Sequence, residues 1–286
     1  MKKVGFVGAG NMARALVRGL LATKRYRACD LWASDPEPRQ LRVFEREYGL
    51  SRAPDNPALV TGSAVVVLAV KPQVMDAVLG EIGPLLSRRQ LVVSIAAGIT
   101  TARLEAGLGG RARVVRVMPN TPAVVGEGMA VLVRGRYASS ADEKLAESLF
   151  GGVGEVVRVR DERLMDAVTG LSGSGPAYVY RFAEGLIKGA VAEGLADSLA
   201  RRLAYQTIRG AAAMLQETGS SPAELCAMVT SPGGTTLAGL QALDEGGFVT
   251  TVTHAVAAAT RRSRELGGAS AAPPSPRRGG RRSARR

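Results

Sequence analysis

Apolar residues in the first 160 positions fall into short, unbroken runs that alternate with segments of helical spacing. The runs are rich in Val, Ile and Leu and do not alternate with polar residues, which is typical of strands buried on both faces of a parallel sheet. They cover residues 4–7, 31–33, 64–70, 91–95 and 114–118. The segments between them, 11–23, 37–48, 73–86 and 100–107, place apolar residues three and four positions apart. This alternation predicts an α/β fold with a doubly wound sheet over residues 1–160.

Beyond residue 160 the strand-like runs give way to Ala-, Leu- and Glu-rich segments with helical spacing. These segments cover residues 161–169, 176–194, 197–218, 222–229, 235–244 and 248–266. Small residues on their faces, such as Gly185, Gly189 and Gly210, permit close approach of neighbouring helices. We therefore expect an all-helical second domain over residues 161–267 that packs against a second copy of itself.

Positive charge is distributed unevenly along the 286 residues. The formal net charge is +13, and six arginines lie in the last ten residues, behind the Pro-rich segment 273–276. Pro, Gly, Ser and Arg cannot bury enough apolar surface to offset their ordering entropy, so residues 268–286 are predicted to be a disordered tail. The charge suggests a nucleic-acid-binding protein as an alternative. The tail offers bases no aromatic side chain to stack on, only salt-sensitive attraction to phosphates, which argues against a nucleic-acid partner.

The lengths of the apolar runs and the number of cysteines indicate where in the cell the protein is located. The longest apolar run has seven residues, whereas a membrane-spanning helix needs about 20, so no membrane partner is expected. The basic start imitates a signal peptide, but the following stretch is glycine-rich and reaches Arg14 before any cleavage site. The two cysteines, Cys29 and Cys226, suit a reducing compartment. The expected location is cytoplasmic.

A glycine-rich segment follows the first predicted strand and opens the first predicted helix. Its sequence from Gly8 to Ala13, GAGNMA, fits the pattern G-x-G-x-x-A of Rossmann-type dinucleotide sites. The first glycine permits a tight turn, and the second lets the backbone approach a pyrophosphate. Free N–H groups and the positive end of the helix dipole then favour the diphosphate. The segment predicts binding of NADPH or NADH.

Asp35, at the end of the second predicted strand, bears on the choice between these cofactors. A carboxylate here would accept a hydrogen bond from the ribose 2′-hydroxyl and repel a 2′-phosphate, which favours NADH. Arg39, on the following helix, could instead bind the 2′-phosphate of NADPH. A third interpretation makes Asp35 the cap of that helix, with Pro36 in its first position.

Two more loops lie at predicted strand ends, where sheets of this kind bind ligands. One contains Ala69, Val70, Lys71 and Pro72, and the other runs over residues 94–98. Small residues there leave room for a nicotinamide ring, and Lys71 offers a cation. The alternative is that both are ordinary loops after buried strands.

An ordered series of motifs along the chain is far more specific than the glycine loop. The motifs are GFVGAGNMA from Gly5, AVKPQ from Ala69, RVMPNTP from Arg116, LSGSGPAY from Leu171 and VTSPGGTT from Val229. Together they closely resemble the pyrroline-5-carboxylate reductase family over residues 2–268, with the arginine-rich tail outside the resemblance. One departure is Cys226-Ala227, which replaces a basic–acidic pair that many relatives carry.

The resemblance implies a Rossmann domain, a helical dimerisation domain, and often a ring of dimers. It implies hydride transfer from NADPH or NADH to the cyclic imine of 1-pyrroline-5-carboxylate, giving L-proline in the last step of its biosynthesis. The implied cofactor contacts are Val7, Gly8, Ala9, Gly10, Asn11, Met12, Ser34, Asp35, Asn56, Ala69, Val70, Lys71, Pro72, Ala96, Ala97 and Gly98. The implied substrate contacts are Ser174, Ser231, Gly233, Gly234, Thr235 and Thr236.

The segment Pro232-Gly233-Gly234 offers side-chain-free backbone just before a predicted helix. Exposed N–H groups at the helix start can hold a carboxylate without an arginine. The Thr236 hydroxyl is the candidate catalytic group, since it could orient or protonate the imine nitrogen. The alternative is that Thr235 and Thr236 only cap the helix.

Other chemistry finds less support in the sequence. A related reductase acting on another imine or on a β-hydroxyacid is the alternative enzyme, and Lys188 would be the lysine that β-hydroxyacid members use. His254 is the single histidine and has no nearby partner for a metal ion, so no metal site is expected.

Overall fold

The computed structural model describes residues 3–268, and the predicted tail therefore lies outside the described residues apart from Gly268. Eight strands form one sheet in the order β3-β2-β1-β4-β5-β6-β7-β8. They are β1 Val4–Val7, β2 Leu31–Ser34, β3 Ser51–Arg52, β4 Val65–Leu68, β5 Leu91–Ser94, β6 Arg113–Met118, β7 Gly128–Arg134 and β8 Gly154–Arg158. All neighbouring pairs are parallel except β6 and β7, which are antiparallel.

Six helices cover this sheet, and six more follow it. The first group is α1 Asn11–Ala22, α2 Pro38–Tyr48, α3 Asn56–Thr61, α4 Met75–Ile82, α5 Thr101–Gly107 and α6 Ser140–Phe150. The second group is α7 Met165–Val168, α8 Gly175–Ala192, α9 Asp197–Glu217, α10 Pro222–Met228, α11 Thr235–Glu245 and α12 Phe248–Leu266. The predicted fold class, a Rossmann-type domain followed by a helical domain, is confirmed.

Alternate residues of the central strands pack into separate cores on the two faces of the sheet. Val65 and Val67 belong to the core under α1, α2 and α6, whereas Val66 and Leu68 belong to the core under α3, α4 and α5. This two-sided burial explains why the strands have no polar alternation.

The sequence analysis missed the edge strands β3 and β8, the interior strand β7 next to β8, and two of the helices, α3 and α6. β3 has only two residues. β7 carries its apolar run between glycine and arginine, and edge strand β8 is largely exposed, with Glu155 and Arg158 among its five residues. The edge strands β3 and β8 each pair on one side only and need little apolar sequence, so their local pattern is weak. β7 pairs on both sides and is largely buried, and this reason does not apply to it.

The helical domain buries few of its apolar side chains within one chain. Ile187, Ala200 and Ala204 form its small core between α8 and α9. Large apolar side chains that remain exposed include Leu171, Tyr180, Leu199, Leu203, Tyr205, Met228, Val229 and Val249. Apolar surface on this scale is typical of a protein–protein interface. Within residues 3–268, no helix has the length and apolar content to cross a membrane.

Candidate active site

The glycine loop between β1 and α1 has the conformation that a dinucleotide site requires. Gly8 has φ +98°, and a Cβ there would lie 2.7 Å from the Ala69 carbonyl oxygen. A Cβ at Gly10 would meet no atom within 4 Å, so the space in front of this residue is open. α1 starts at Asn11 without a side-chain cap and without an acidic residue in its first turn. Its first N–H groups are therefore free for a pyrophosphate.

Asp35 is held against this glycine loop. Its Oδ2 accepts a hydrogen bond from the Ala9 N–H at 2.7 Å, and its Oδ1 accepts one from the Glu37 N–H at 2.8 Å. α2 begins at Pro38, and its cap is Glu37, which accepts from the Arg39 N–H. The interpretation of Asp35 as the helix cap is therefore wrong, because the helix starts two residues later and Asp35 is bonded to the loop.

Ser34 and Asn56 lie beside Asp35 and are joined to each other. The buried Ser34 hydroxyl donates to Asn56 Oδ1 at 2.6 Å, and Asn56 Nδ2 donates to Glu81 Oε2 at 2.6 Å. These bonds connect the end of β2 to the first residue of α3 and to α4.

The loops after β4 and β5 complete the same edge of the sheet. The Ala69 N–H donates to the Val7 carbonyl at 2.8 Å, and Lys71 is exposed at the start of a 3-10 turn, Pro72–Val74. Ala96 is buried, and Gly98 has φ +77°. A Cβ at Gly98 would lie 2.7 Å from the Ser263 carbonyl oxygen, so this loop packs closely on the end of α12.

The loops that carry the expected cofactor residues thus share one edge of the sheet. β2, β1, β4 and β5 are neighbours and parallel, so their carboxyl ends share one edge of the sheet. The open space at Gly10 and the uncapped start of α1 fit a dinucleotide.

A buried ion network that the sequence analysis did not predict joins the two domains. Arg116 on β6 is 2% exposed, its Nη1 lies 3.1 Å from Glu162 Oε1 and its Nη2 lies 3.9 Å from Asp166 Oδ1. Glu162 accepts the N–H and the hydroxyl of Thr101, the first residue of α5, at 2.7 and 2.6 Å. Asp166 accepts from the Ser263 hydroxyl at 2.7 Å.

This network ties β6 and α5 to the helix that ends against the loop at Gly98. The sequence contained one signal for it, because Arg116 is a charged residue inside an otherwise apolar run. A buried charge needs a partner, but nothing local identifies Glu162 or Asp166 as that partner.

Asn120 makes a second connection between the domains. Its Nδ2 donates to the Ser172 carbonyl at 3.3 Å, and its Oδ1 accepts from the Met129 N–H at 2.8 Å. Ser172 belongs to a π-helical turn, Thr169–Gly173, a conformation often found at functional sites. Ser174 follows this turn, half-buried, just before α8.

The segment from Ser231 to Thr236 forms a tight turn that leads into α11. The Gly234 N–H donates to the Ser231 carbonyl at 2.9 Å, and Gly233 has φ +69°. The cap of α11 is Gly234, so no side-chain hydrogen bond caps the helix and no acidic residue lies in its first turn. The interpretation of Thr235 and Thr236 as helix caps is therefore wrong. Thr236 is half-buried and Thr235 is exposed.

Within residues 3–268, no hydrogen bond connects this segment, residues 231–236, with the cofactor loops. The helix that follows it, α11, packs against α12. The two groups of expected site residues thus lie on different parts of the chain.

Lys188, the lysine of the alternative β-hydroxyacid chemistry, is engaged at the surface. Its ammonium lies 2.7 Å from Glu184 Oε1 on the same helix, and its side chain is largely exposed. Hydrogen bonds from Lys188 and Arg181 lower the pKa of Glu184 to about 2. His254 is exposed. Within the part of the chain that the structure describes, no three His, Cys, Asp or Glu side chains form a metal-binding group.

The glycine loop, the strand-end loops and the parallel sheet place this chain among the Rossmann-type NAD(P)-dependent oxidoreductases. Two families match its sequence: "NADP oxidoreductase coenzyme F420-dependent" over residues 3–98 and "Pyrroline-5-carboxylate reductase dimerisation" over residues 162–266. The chain belongs to the pyrroline-5-carboxylate reductase family. The resemblance found in the sequence motifs is confirmed.

Relatives and solved structures with this name cover nearly the whole chain. Pyrroline-5-carboxylate reductase of Arabidopsis thaliana is 45% identical over 92% of this chain and 95% of its own length. Pyrroline-5-carboxylate reductase 3 of Rattus norvegicus is 43% identical over 93% of this chain and 96% of its own length. The Plasmodium falciparum structure with NADP bound has a TM-score of 0.86 at 34% identity, covering 93% of this chain and 98% of that one.

Proposed function

We propose that this protein reduces 1-pyrroline-5-carboxylate to L-proline with NADH or NADPH as the hydride donor. The observation that carries the proposal is the uncapped start of α11 after Pro232-Gly233-Gly234, in a chain whose strand-end loops fit a dinucleotide. This reaction needs one site for a carboxylate and one for a nicotinamide. The family names of the relatives support this substrate.

The start of α11 is the proposed site for the substrate carboxylate. Gly233 and Gly234 have no side chains to obstruct the approach, and no acidic side chain in the first turn repels an anion. The free N–H groups of Thr235 and Thr236 then donate to the carboxylate. Ser231, which begins the turn before α11, and Ser174, which follows the π-helical turn, are proposed to close the pocket around the ring.

Thr236 is the proposed catalytic residue. Its hydroxyl is not used to cap α11 and is therefore free to donate a hydrogen bond to the imine nitrogen. A protonated imine is the better hydride acceptor, and the bound dihydronicotinamide supplies the hydride. The main contribution of the chain is to hold ring and cofactor in orientation, which is worth about 7–11 kcal/mol in well-oriented reactions.

A substrate comparison tests this function. The purified protein is expected to oxidise NADH or NADPH with pyrroline-5-carboxylate, and to use the six-membered imine homologue with a kcat/KM at least about tenfold lower. Stopped assays of proline formation confirm the product. Turnover of a β-hydroxyacid with NAD⁺ or NADP⁺, without turnover of either imine, would contradict the proposal and favour the alternative reductase.

Self-association is supported by the family of the helical domain and by its exposed apolar side chains. The homodimer is proposed to form through this domain. Residues 231–236, the proposed substrate segment, would then lie opposite a second chain. A ring of dimers, a cytoplasmic location and the lack of a nucleic-acid partner stay predictions. The two cysteines, both free and exposed, are in keeping with a reducing compartment.

Asp35 is proposed to make NADH the preferred cofactor. Its carboxylate is fixed by the N–H groups of Ala9 and Glu37 at the end of β2, where the adenosine ribose binds in such folds. It is thus positioned to accept from a 2′-hydroxyl and to repel a 2′-phosphate. At about 5 Å and an effective dielectric constant of about 20–40, this repulsion is on the order of 2 kcal/mol, or about thirtyfold in kcat/KM.

The substitution Asp35→Ser tests this preference. Serine keeps an acceptor for the Ala9 N–H but removes the charge, so the NADPH/NADH ratio of kcat/KM is expected to rise by about thirtyfold. The matched control is Glu47→Gln, which removes a charge at the far end of α2 and should leave the ratio within about twofold. A wild-type enzyme that prefers NADPH, or a ratio that Asp35→Ser does not change, would show that Arg39 or another group sets the preference.

A further inference from the structure

Arginines collect at the edge of the sheet opposite to the dinucleotide loops. Because β7 runs antiparallel to β6, the carboxyl ends of β7 and β8 lie at the edge where β6 begins. Arg134 ends β7 and pairs in register with Val115, and Arg158 ends β8 and pairs with Leu132. Arg113, the first residue of β6, lies at the same edge. None of these residues belongs to the proposed active site.

A cleft of about 770 Å³ opens at this edge, between the ends of β7 and β8 and the start of α6. Four arginines line it: Arg134, Arg136, Arg158 and Arg160. Arg158 forms ion pairs with Glu143 and Glu147. Within residues 3–268, the other three arginines have no carboxylate within ion-pair distance, so their charge is not neutralised.

The neutral contacts of these arginines leave most of their donors free. Arg134 Nη1 donates to the Ser140 hydroxyl at 3.3 Å, and the Arg136 guanidinium lies 5.6 Å from the centre of the Tyr137 ring. Both side chains, and that of Arg160, are exposed at the rim of the cleft. A guanidinium group has five N–H donors and matches phosphate oxygens in pairs.

Four carboxyl groups lie at or near the cleft, and the most exposed of them, Glu147 at 36%, forms an ion pair with Arg158. Glu143 lines the wall, is 14% exposed and faces Arg158 at 3.6 Å. Glu105 is buried beneath Gly135, and Asp142 is buried against Arg113 at 3.0 Å. The charges at the rim that no ion pair compensates are therefore positive, because they belong to Arg134, Arg136 and Arg160.

We propose that this cleft is a binding site for a small polyphosphate, separate from the dinucleotide site. Three unpaired guanidinium groups around one cavity fit a ligand with several phosphate oxyanions better than a singly charged ion. The cavity volume is in the range of small-molecule sites, about 300–1,000 Å³. The arginines surround one cleft rather than a track along the surface, which favours a compact anion over a nucleic-acid strand.

Titration calorimetry with inorganic tripolyphosphate tests the site. The full chain is first saturated with NADH, so that the dinucleotide loops are occupied, and ionic strength is held constant with chloride because exposed charges are screened. We expect binding to the wild-type protein and at least tenfold weaker binding to the variant Arg134→Gln/Arg136→Gln/Arg160→Gln. A parallel titration with a non-hydrolysable nucleoside triphosphate shows whether a base adds affinity.

The control variant is Arg18→Gln/Arg25→Gln/Arg46→Gln, which removes the same charge from exposed positions far from the cleft. It should bind tripolyphosphate like the wild type. Equal weakening in both variants would show a general charge effect and overturn the proposal, as would a lack of binding to the wild type. Binding of short DNA but not of tripolyphosphate would point to a nucleic-acid surface instead.

An activity measurement shows whether the cleft variant is folded, and a single substitution replaces it if it is not. The cleft variant should keep kcat/KM within about twofold, because the cleft lies at the edge opposite to the dinucleotide loops, and this establishes that it is folded. If the triple variant does not fold, the single reversal Arg160→Glu takes its place and should also weaken tripolyphosphate binding at least tenfold. Unchanged binding in a folded variant would overturn the proposal.

Discussion

The substitution Thr236→Val is expected to lower kcat/KM for pyrroline-5-carboxylate by about a hundredfold, with little loss of thermal stability. The reason is the position of Thr236 in the first turn of α11, where Gly234 is the cap and the threonine hydroxyl has no capping role. A group that donates or orients a proton in the transition state contributes about 10²–10⁴ in rate. We expect the lower end of this range, because an imine nitrogen accepts a proton readily. Positioning of the ring and the cofactor contributes more to the rate than the hydroxyl does. Steady-state kinetics measure kcat/KM, and thermal melting measures the stability.

Two variants separate a catalytic hydroxyl from a structural one. Thr236→Ser keeps the hydroxyl and should recover most of the lost kcat/KM. Thr61→Val removes an exposed hydroxyl that bonds only to its own helix and should leave kcat/KM unchanged. Unchanged turnover of Thr236→Val together with a large drop in melting temperature would show that the residue is structural.

The substitution Arg116→Met is expected to lower the free energy of unfolding by about 3 kcal/mol. Removing one partner of a buried ion pair leaves an uncompensated charge and costs about 3–5 kcal/mol. The lower value applies, because Glu162 and Asp166 are 26% and 19% exposed and water partly solvates them. Urea denaturation followed by circular dichroism measures the change. Protomer concentration must be equal in all samples, since self-association shifts apparent stability.

Two comparisons identify the buried network as the cause. The triple variant Arg116→Met/Glu162→Gln/Asp166→Asn has no unpaired charge and should recover much of the stability that Arg116→Met loses. Arg103→Met removes an exposed ion pair with Asp76, at 2.6 Å, and should cost no more than about 1 kcal/mol. A similar loss in Arg103→Met and Arg116→Met would show that burial of the network contributes nothing.

Prediction from the sequence succeeded for β1, β2, β4, β5 and β6, and it failed for the edge strands β3 and β8 and for β7. The strands β1, β2, β4, β5 and β6 are covered on both faces and are therefore mainly apolar, with Arg116 as the charged exception in β6. β8 pairs on one side only and carries Glu155 and Arg158. The antiparallel turn from β6 to β7 was not predicted either. That turn decides which edge of the sheet receives Arg134 and Arg158.

In the candidate site, too, the sequence assigned the role of some residues and left that of others open. Gly8 could be assigned from the sequence because a positive φ beside the Ala69 backbone excludes side chains. The role of Asp35 could not, since the sequence left three interpretations open. The start of α2 at Pro38, with Glu37 as its cap, excludes one of them, the capping of α2 by Asp35.

The sequence by itself determined the two-part architecture, the position of the glycine loop and the family of this protein. Each of these depends on local properties: hydrophobic period, conformations that only glycine adopts, and the order of short motifs. The tertiary structure alone decided the bond between Ala9 and Asp35, 26 positions apart, and the bond between Asp166 and Ser263, 97 positions apart. The cleft lined by Arg134, Arg136, Arg158 and Arg160 likewise required the fold. Charge and hydrogen bonding act through space, and no local pattern records which distant residues the fold brings together.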